Sequence, residues 1–522
     1  MVTEDKSRDD APGKQPGALA EVFHTWRYFF YLLSLIALVL LFYAEENWRG
    51  HWVWSRYRRD LEAEGVRFEP SAYIPRPVLP EENFADAIWR ASGLSPRYDA
   101  ASGKLNSTSR KGPLSNSWVM ARTDLGAWRA AFLAATNSAS RSTASAADPP
   151  PSRAPSRAEA AAAVLAELSD SDAAIGLLRE ASQRPYARFD LVYDVKDPAA
   201  ILLPHLVPVK KTAQVVALRS VAELGMRRTD EAFRDVMLLF ALADTLREEP
   251  LLISQLVRIA VLAIALPPLE AGLDQWSDSQ LALLQQRLQR FDLCRDMSHS
   301  FEAEAIFLGI REIDYMCSSR SALKNLGMFS NPKQISCIAL QAAPAGWFDF
   351  ERVNYLRFVE ARLLPTLDVE RRQVPPSASR ELQQQIEGLT ASPGKMIFRH
   401  QLFAATMLSG VARAAQRTAF TQTGLDTATV ACALQRYRLA QGQFPPTLDG
   451  LVPQFITALP HDIINGQPLR YRRTDNDHFV LYSVGWNETD DGGIVGMLTT
   501  GNSPDSQIGD WVWANLTPAE AE

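Results

Sequence analysis

In this 522-residue chain, the side chains best suited to chemistry by type and spacing lie near the C-terminal end. Asn487, Asp490 and Asp491 sit in a Gly-rich turn, and Asp505 precedes Ile508-Gly509-Asp510-Trp511. Hard oxygen donors carried on loops are what a calcium ion takes. A hydrogen-bonded turn whose acids face water uses the same residues, and both readings stand. Other catalytic signatures are sparse. The seven histidines, among them His205, His299, His400, His461 and His478, show no H-E-x-x-H or short His-x-His spacing. No G-x-S-x-G elbow and no G-x-x-x-x-G-K-[ST] loop is found. Glu302 and Glu304 point to different sides of a helix, so they are not an acid and base pair.

The acidic turn must be held by the elements before it. Wound as a helix, Leu425 to Leu439 puts Val430, Ala433, Leu434 and Tyr437 on one side and Leu425, Ala428, Cys432 and Leu439 on the other, so it packs on two faces. Gly442, followed by Pro445 and Pro446, stops it. Thr447 is placed to cap a short segment carrying Leu448, Leu451 and Val452. After the Asn465-Gly466 turn, Leu469 and Tyr471 alternate with Arg470 and Arg472, the period of a half-buried strand. Thr474 to Asp477 turns the chain back into Phe479 to Val484. Upstream, Lys395 to Leu439 reads as one long helix with weak points at Gly410 and Gly424. Its first half is too polar for a membrane span.

Several of these features occur in a fixed order. They are Tyr437-Arg438 before Gly442-Gln443-Phe444-Pro445, then Asn465 to Leu469, then Leu481 to Gly485, then Ile508 to Trp511. Together, over Phe403 to Trp513, they resemble the head of type II secretion pseudopilins, and the whole length resembles uncharacterised single-anchor bacterial envelope proteins. The resemblance implies an exported interaction module with calcium in its acidic loop. Asn487 stands where an Asp is usual, and Ser503 occupies another such position. No short basic leader ending in Gly precedes a Phe-Thr-Leu-x-Glu start, so processing into a filament subunit is not expected.

At the other end, Tyr28 to Ala44 carries no charge, and its seventeen residues give roughly 26 Å of helix, enough for a hydrocarbon core. Trp26, Tyr28, Tyr43 and Trp48 suit the two interfaces. A buried soluble helix is the alternative. A cleaved signal peptide fits less well, because Phe42 stands where a small residue belongs. Arg49, Arg56, Arg58 and Arg59 follow the span while Lys14 and Arg27 precede it, so the count of basic residues opposes an inside N-terminus. The head resemblance favours it. Trp48, Trp52 and Trp54 fit a helix lying in the interface, and the arginines suit anionic head groups.

Composition and punctuation divide the rest. A net charge of −6 excludes a basic nucleic-acid face as the organising feature. Cys294, Cys317, Cys337 and Cys432 show no C-x-x-C; buried thiols are favoured over disulfides. Residues 1–27 read as a disordered inner tail, 28–44 as the span, and 45–136 as a juxtamembrane helix and a Pro-rich extended region, with Ala72 to Pro80 as a spacer or strap. Residues 137–157 read as a Ser/Ala/Pro-rich linker. Residues 158–392 form an irregular helical domain, with Leu218 to Leu246 a helical hairpin resembling one tetratricopeptide unit, and 393–522 form the helix and β head. The fold expected is mainly α with a C-terminal α+β head. The function expected is a bacterial inner-membrane scaffold with envelope protein partners and a periplasmic C-terminal part, associated with secretion or pilus-like machinery. A periplasmic hydrolase with its site in the helical domain is the rival, and a lone structural anchor is the third reading.

Overall fold

A computed structural model of the chain describes residues 18–91, 98–99, 104–105, 125, 156–319, 341–391, 393–408, 410–475, 477–498 and 504–513. The expected tail before Ala18, most of the 137–157 linker, Cys337 and Ser503 lie outside the described residues. The molecule is mainly helical, with a small antiparallel sheet near the C-terminus and an apolar N-terminal helix long enough to cross a membrane.

That helix, α1 (Ala18–Ala63), is 46 residues long and does not break after the apolar stretch. The expected span is its N-terminal part, and the tryptophans after it continue the same helix rather than starting a separate one. From Trp26 to Phe42 its large apolar side chains stand exposed, whereas Glu46 and Gly50 are buried against the body. Next come α2 (Phe84–Ala91), the two-residue strands β1 (Tyr98–Asp99) and β2 (Lys104–Leu105), α3 (Arg157–Leu168) and α4 (Asp172–Ala181). Ser156 opens α3 with a capping box, its hydroxyl accepting from Glu159 N–H while the Glu159 carboxylate accepts from Ser156 N–H.

The helical hairpin expected at Leu218 to Leu246 is α5 (Leu206–Gly225) and α6 (Thr229–Asp244), packed antiparallel. Then follow α7 (Leu252–Ala271) and α8 (Asp278–Leu288), the latter capped by Ser277. Helix α7 is also apolar and long enough to span a bilayer, but most of it is buried inside the body, as a core helix should be. After it, α9 (Leu293–Glu304) and α10 (Arg311–Ser318) are joined by a π-helical turn, and α11 (Ala345–Phe358) packs along α1.

The long helix expected from Lys395 to Leu439 is interrupted. After α12 (Pro376–Thr390) come α13 (Pro393–Phe398), α14 (Leu402–Met407) and α15 (Ala412–Gln441). His400, at φ 51°, turns the chain, and Glu351 on α11 accepts N–H bonds from Leu402 and Phe403 at 3.1 Å, fixing a new helix start there. Gly424 does not break α15; it gives Leu266 of α7 room that a Cβ would fill at 2.5 Å. Helix α15 is buried on two faces over Leu425 to Gln435, while Phe420 and, in its last turn, Leu439 are exposed. Gly442 ends it at φ 75°, its N–H reaching Arg438 O at 2.7 Å. Thr447 precedes the short turn Leu448–Leu451, but its side chain makes no capping bond.

Strands β3 (Arg470–Arg473) and β4 (Phe479–Ser483) form the expected hairpin, and β5 (Val495–Met497) pairs with β6 (Pro504–Gly509). Strand β7 (Trp511–Trp513) completes a three-stranded sheet in the order β3-β4-β7. One hydrophobic core runs from Leu61 through the helices to Trp513, so α15 joins sheet and helical body.

Candidate functional site

A cleft of about 2210 Å³ opens in the body among the described residues. One lip is the strap after α1, where Pro75 and Pro77 keep residues 75–79 extended; the two ends of the stretch expected to be extended, Ala72 and Pro80, belong instead to short 3-10 turns. Tyr73 anchors it against Phe307, ring centroids 6.5 Å apart. Arg184 holds its far end by donating to Asn83 O at 2.9 Å. The opposite wall is apolar on α6, through Phe233, Met237 and Ala241. Arg67, Arg76 and Arg290 stand exposed at the rim.

Ion pairs brace this wall. Arg179 of α4 donates to Glu231 at 2.7 Å and to Asp235 at 2.6 Å, and Arg219 reaches Asp235 at 3.3 Å. Burial pushes the Asp235 carboxyl up to about 6 even with both guanidinium groups beside it. Deeper still, the almost wholly buried Arg258 donates to Asp296 at 2.8 Å. Behind the cleft, His205 Nε2 lies 2.8 Å from Glu249 Oε1, with the imidazole sealed under Phe189 at 4.3 Å between rings. Glu249 touches the cleft, but His205 is 0% exposed, so the imidazole meets no solute there. Helix packing brings this pair together across 44 positions, and no motif in the sequence announces it.

No family model, curated protein or solved structure matches the chain. The reading of the site therefore rests on its own geometry. A pocket for a small ligand typically holds about 300–1,000 Å³. The cleft is larger than that and open to solvent. Its histidine, His299, is exposed and faces Glu302 at 3.9 Å on its own helix.

The acidic turn is arranged as a hydrogen-bonded loop. Asn487 donates to Asp491 Oδ2 at 2.9 Å, and its own Oδ1 accepts from Thr489 N–H. Asp490 accepts from the Tyr482 hydroxyl at 2.9 Å and from Gly492 N–H, and pairs with Arg470 at 3.3 Å. Asp505 stands apart on β6, accepting from Gln507 N–H at 2.9 Å. The residue that organises the loop is Asp510, which accepts from Asp491 N–H at 3.2 Å and Gly493 N–H at 2.6 Å. Burial raises its carboxyl above the usual range, opposed by those two N–H groups. Among the described residues no three His, Cys, Asp or Glu side chains converge in a metal-holding group. Asn487, Asp490 and Asp491 are engaged with one another's loop and with Tyr482 and Arg470, and Asp505 with its own turn on β6.

Among the described residues the three thiols are free: Cys294 and Cys432 are buried and Cys317 is half-buried. Burial raises both buried thiols to about 12, so neither is a thiolate nucleophile.

Proposed function

We propose that the chain is a membrane-anchored interaction module that presents its cleft to an extended segment of another envelope protein. The observation that carries this reading is the cleft itself, too large for a small-molecule pocket and walled by apolar α6 side chains with arginines at the rim. The anchor is the exposed apolar part of α1 in a bacterial inner membrane, with the body on the periplasmic side. The order of helix, left-handed glycine, short turn, hairpin and acidic loop supports the pseudopilin-like resemblance, and with it an association with secretion or pilus-like machinery. The α5–α6 hairpin supports the tetratricopeptide likeness in the same limited sense.

Photocrosslinking in living cells tests this directly. A photoreactive residue in place of Met237, on the cleft wall of the full-length protein, is expected to give a discrete adduct with an envelope protein. Ala241→Arg, which fills the same wall, is expected to abolish that adduct while membrane extraction and melting stay as in the parent. An adduct that survives the substitution, or none at all, removes the cleft from the function.

A further inference from the structure

The exposed apolar stretch of α1 ends where the body begins. Outward-facing side chains run from Trp26 to Phe42, roughly 26 Å of helix and close to one hydrocarbon core. The next residue, Tyr43, donates its hydroxyl to Ala342 O. Phe42 and Tyr43 share a small apolar hollow of about 240 Å³ with Ala343, Pro344, Ile397 and Phe398. The edge of the span and helix α13 therefore lie at the same level.

Phe398 is 78% exposed, the most exposed large apolar side chain among the described residues. Taking such a ring out of water is favourable. Lys395 and Arg399, four positions apart, stand exposed beside it. Apolar surface on α1 that only lipid tails would cover thus continues onto α13, and cations flank the extension. The segment is held in place. Asn354 donates to Arg399 O at 2.9 Å and His400 O at 3.0 Å, and His400 stacks on Phe350 of α11 at 5.0 Å. Helix α11 is in turn fixed to α1, with Gly346 N–H donating to Asn47 at 2.9 Å and Trp347 to Glu46 at 3.1 Å.

We infer that α13 is a second membrane contact: Phe398 enters the edge of the bilayer beside α1, and Lys395 and Arg399 meet anionic lipid head groups of the same leaflet. One helix alone leaves the body free to rotate about its axis; a second contact fixes which side of the body faces the membrane. The inference rests on α1 spanning the bilayer, and the test separates the two.

Spin labels are placed singly at positions 36, 64 and 398 of the full-length protein, with Cys317→Ser and Cys337→Ser and the buried Cys294 and Cys432 retained. The protein is reconstituted in phosphatidylcholine vesicles with and without phosphatidylglycerol, and collisions with oxygen and with a water-soluble nickel chelate are compared. Position 64, about 30 Å along the helix from Phe42, is the aqueous reference. Position 36 is expected to prefer oxygen strongly, and position 398 to show an interfacial preference that strengthens with phosphatidylglycerol. Lys395→Glu with Arg399→Glu is expected to abolish that preference at 398 and leave 36 unchanged. An aqueous 398 with a lipid-immersed 36 overturns the second contact alone. An aqueous 36 overturns the anchor. An immersed 398 indifferent to both lipid charge and the double substitution overturns the head-group contact.

Discussion

Individual carboxylates do long-range work in this protein. Glu304 accepts Leu252 N–H at 3.0 Å, Glu312 accepts Ala199 N–H at 3.2 Å, and Glu351 takes Leu402 and Phe403 on its two oxygens. Each satisfies donors at a helical start far away in sequence; Glu312 shares the Ala199 N–H with the local cap Asp197, whereas the starts at Leu252 and Leu402 have no local side-chain cap. Burial pushes Glu351 up to about 8 and Glu312 up to about 7, ahead of the opposing backbone bonds. With the folded value of Glu351 above the ordinary 4.5, its contribution to stability is fully present below that value and is lost as pH rises toward 8. Glu351→Gln keeps an acceptor and cannot ionise. The stability difference between wild type and Glu351→Gln is expected to change steadily against wild type from about pH 5 to about pH 8 and then level off. Urea midpoints across that range measure it. A constant difference would mean that Glu351 ionises in its ordinary range.

At the scale of elements, the crossing of α1 and α11 decides how the anchor meets the body. A Cβ on Gly50 would sit 2.2 Å from Gly346 O, and one on Gly346 would sit 2.1 Å from Glu46 O. The two backbones touch, and only glycine permits it. Gly50→Ala is expected to destabilise by about 1–3 kcal/mol. Gly176→Ala, on α4 with nothing near the new methyl, is expected to stabilise by up to about 1 kcal/mol. Denaturation midpoints in one detergent compare them, and shifts of the same sign would refute the crossing. Sequence reading found the elements whose signals are local: the apolar stretch, the Leu218 to Leu246 helical hairpin and the β3–β4 hairpin. It missed what distant residues impose. The residues after Ala44 read as helix, but that this helix runs on unbroken from the apolar stretch was not read, because its support is α11, some 300 positions on. The break at His400 is invisible for the same reason, its cap being Glu351. The candidate site was less legible still. Strap and wall are readable singly, but their meeting across a cleft is a product of packing, and Asp510 organises the acidic turn from the far side of two strands.

Across the whole molecule, the proposed anchoring by α1 carries a further prediction about which side of the membrane holds the body. Basic residues after the span oppose an outside body by simple count, yet the structure shows what those residues do once folded. Arg49 pairs with Glu46 at 2.9 Å, Arg58 pairs with Glu62 at 2.7 Å, and Arg56 lies over Trp52. They belong to the folded stalk. Long domains also translocate largely regardless of charge, so the stalk arginines are a weak barrier to export of the residues that follow. Fusing alkaline phosphatase to the C-terminus is expected to give an active enzyme, and fusing green fluorescent protein there a dark one. Deleting Arg56, Arg58 and Arg59 as charges, by substitution to Gln, is expected to leave both results unchanged. A fluorescent, phosphatase-negative pair would place the body in the cytoplasm. The α13 contact would then face the inner leaflet, and the cleft partner would be sought among cytoplasmic proteins.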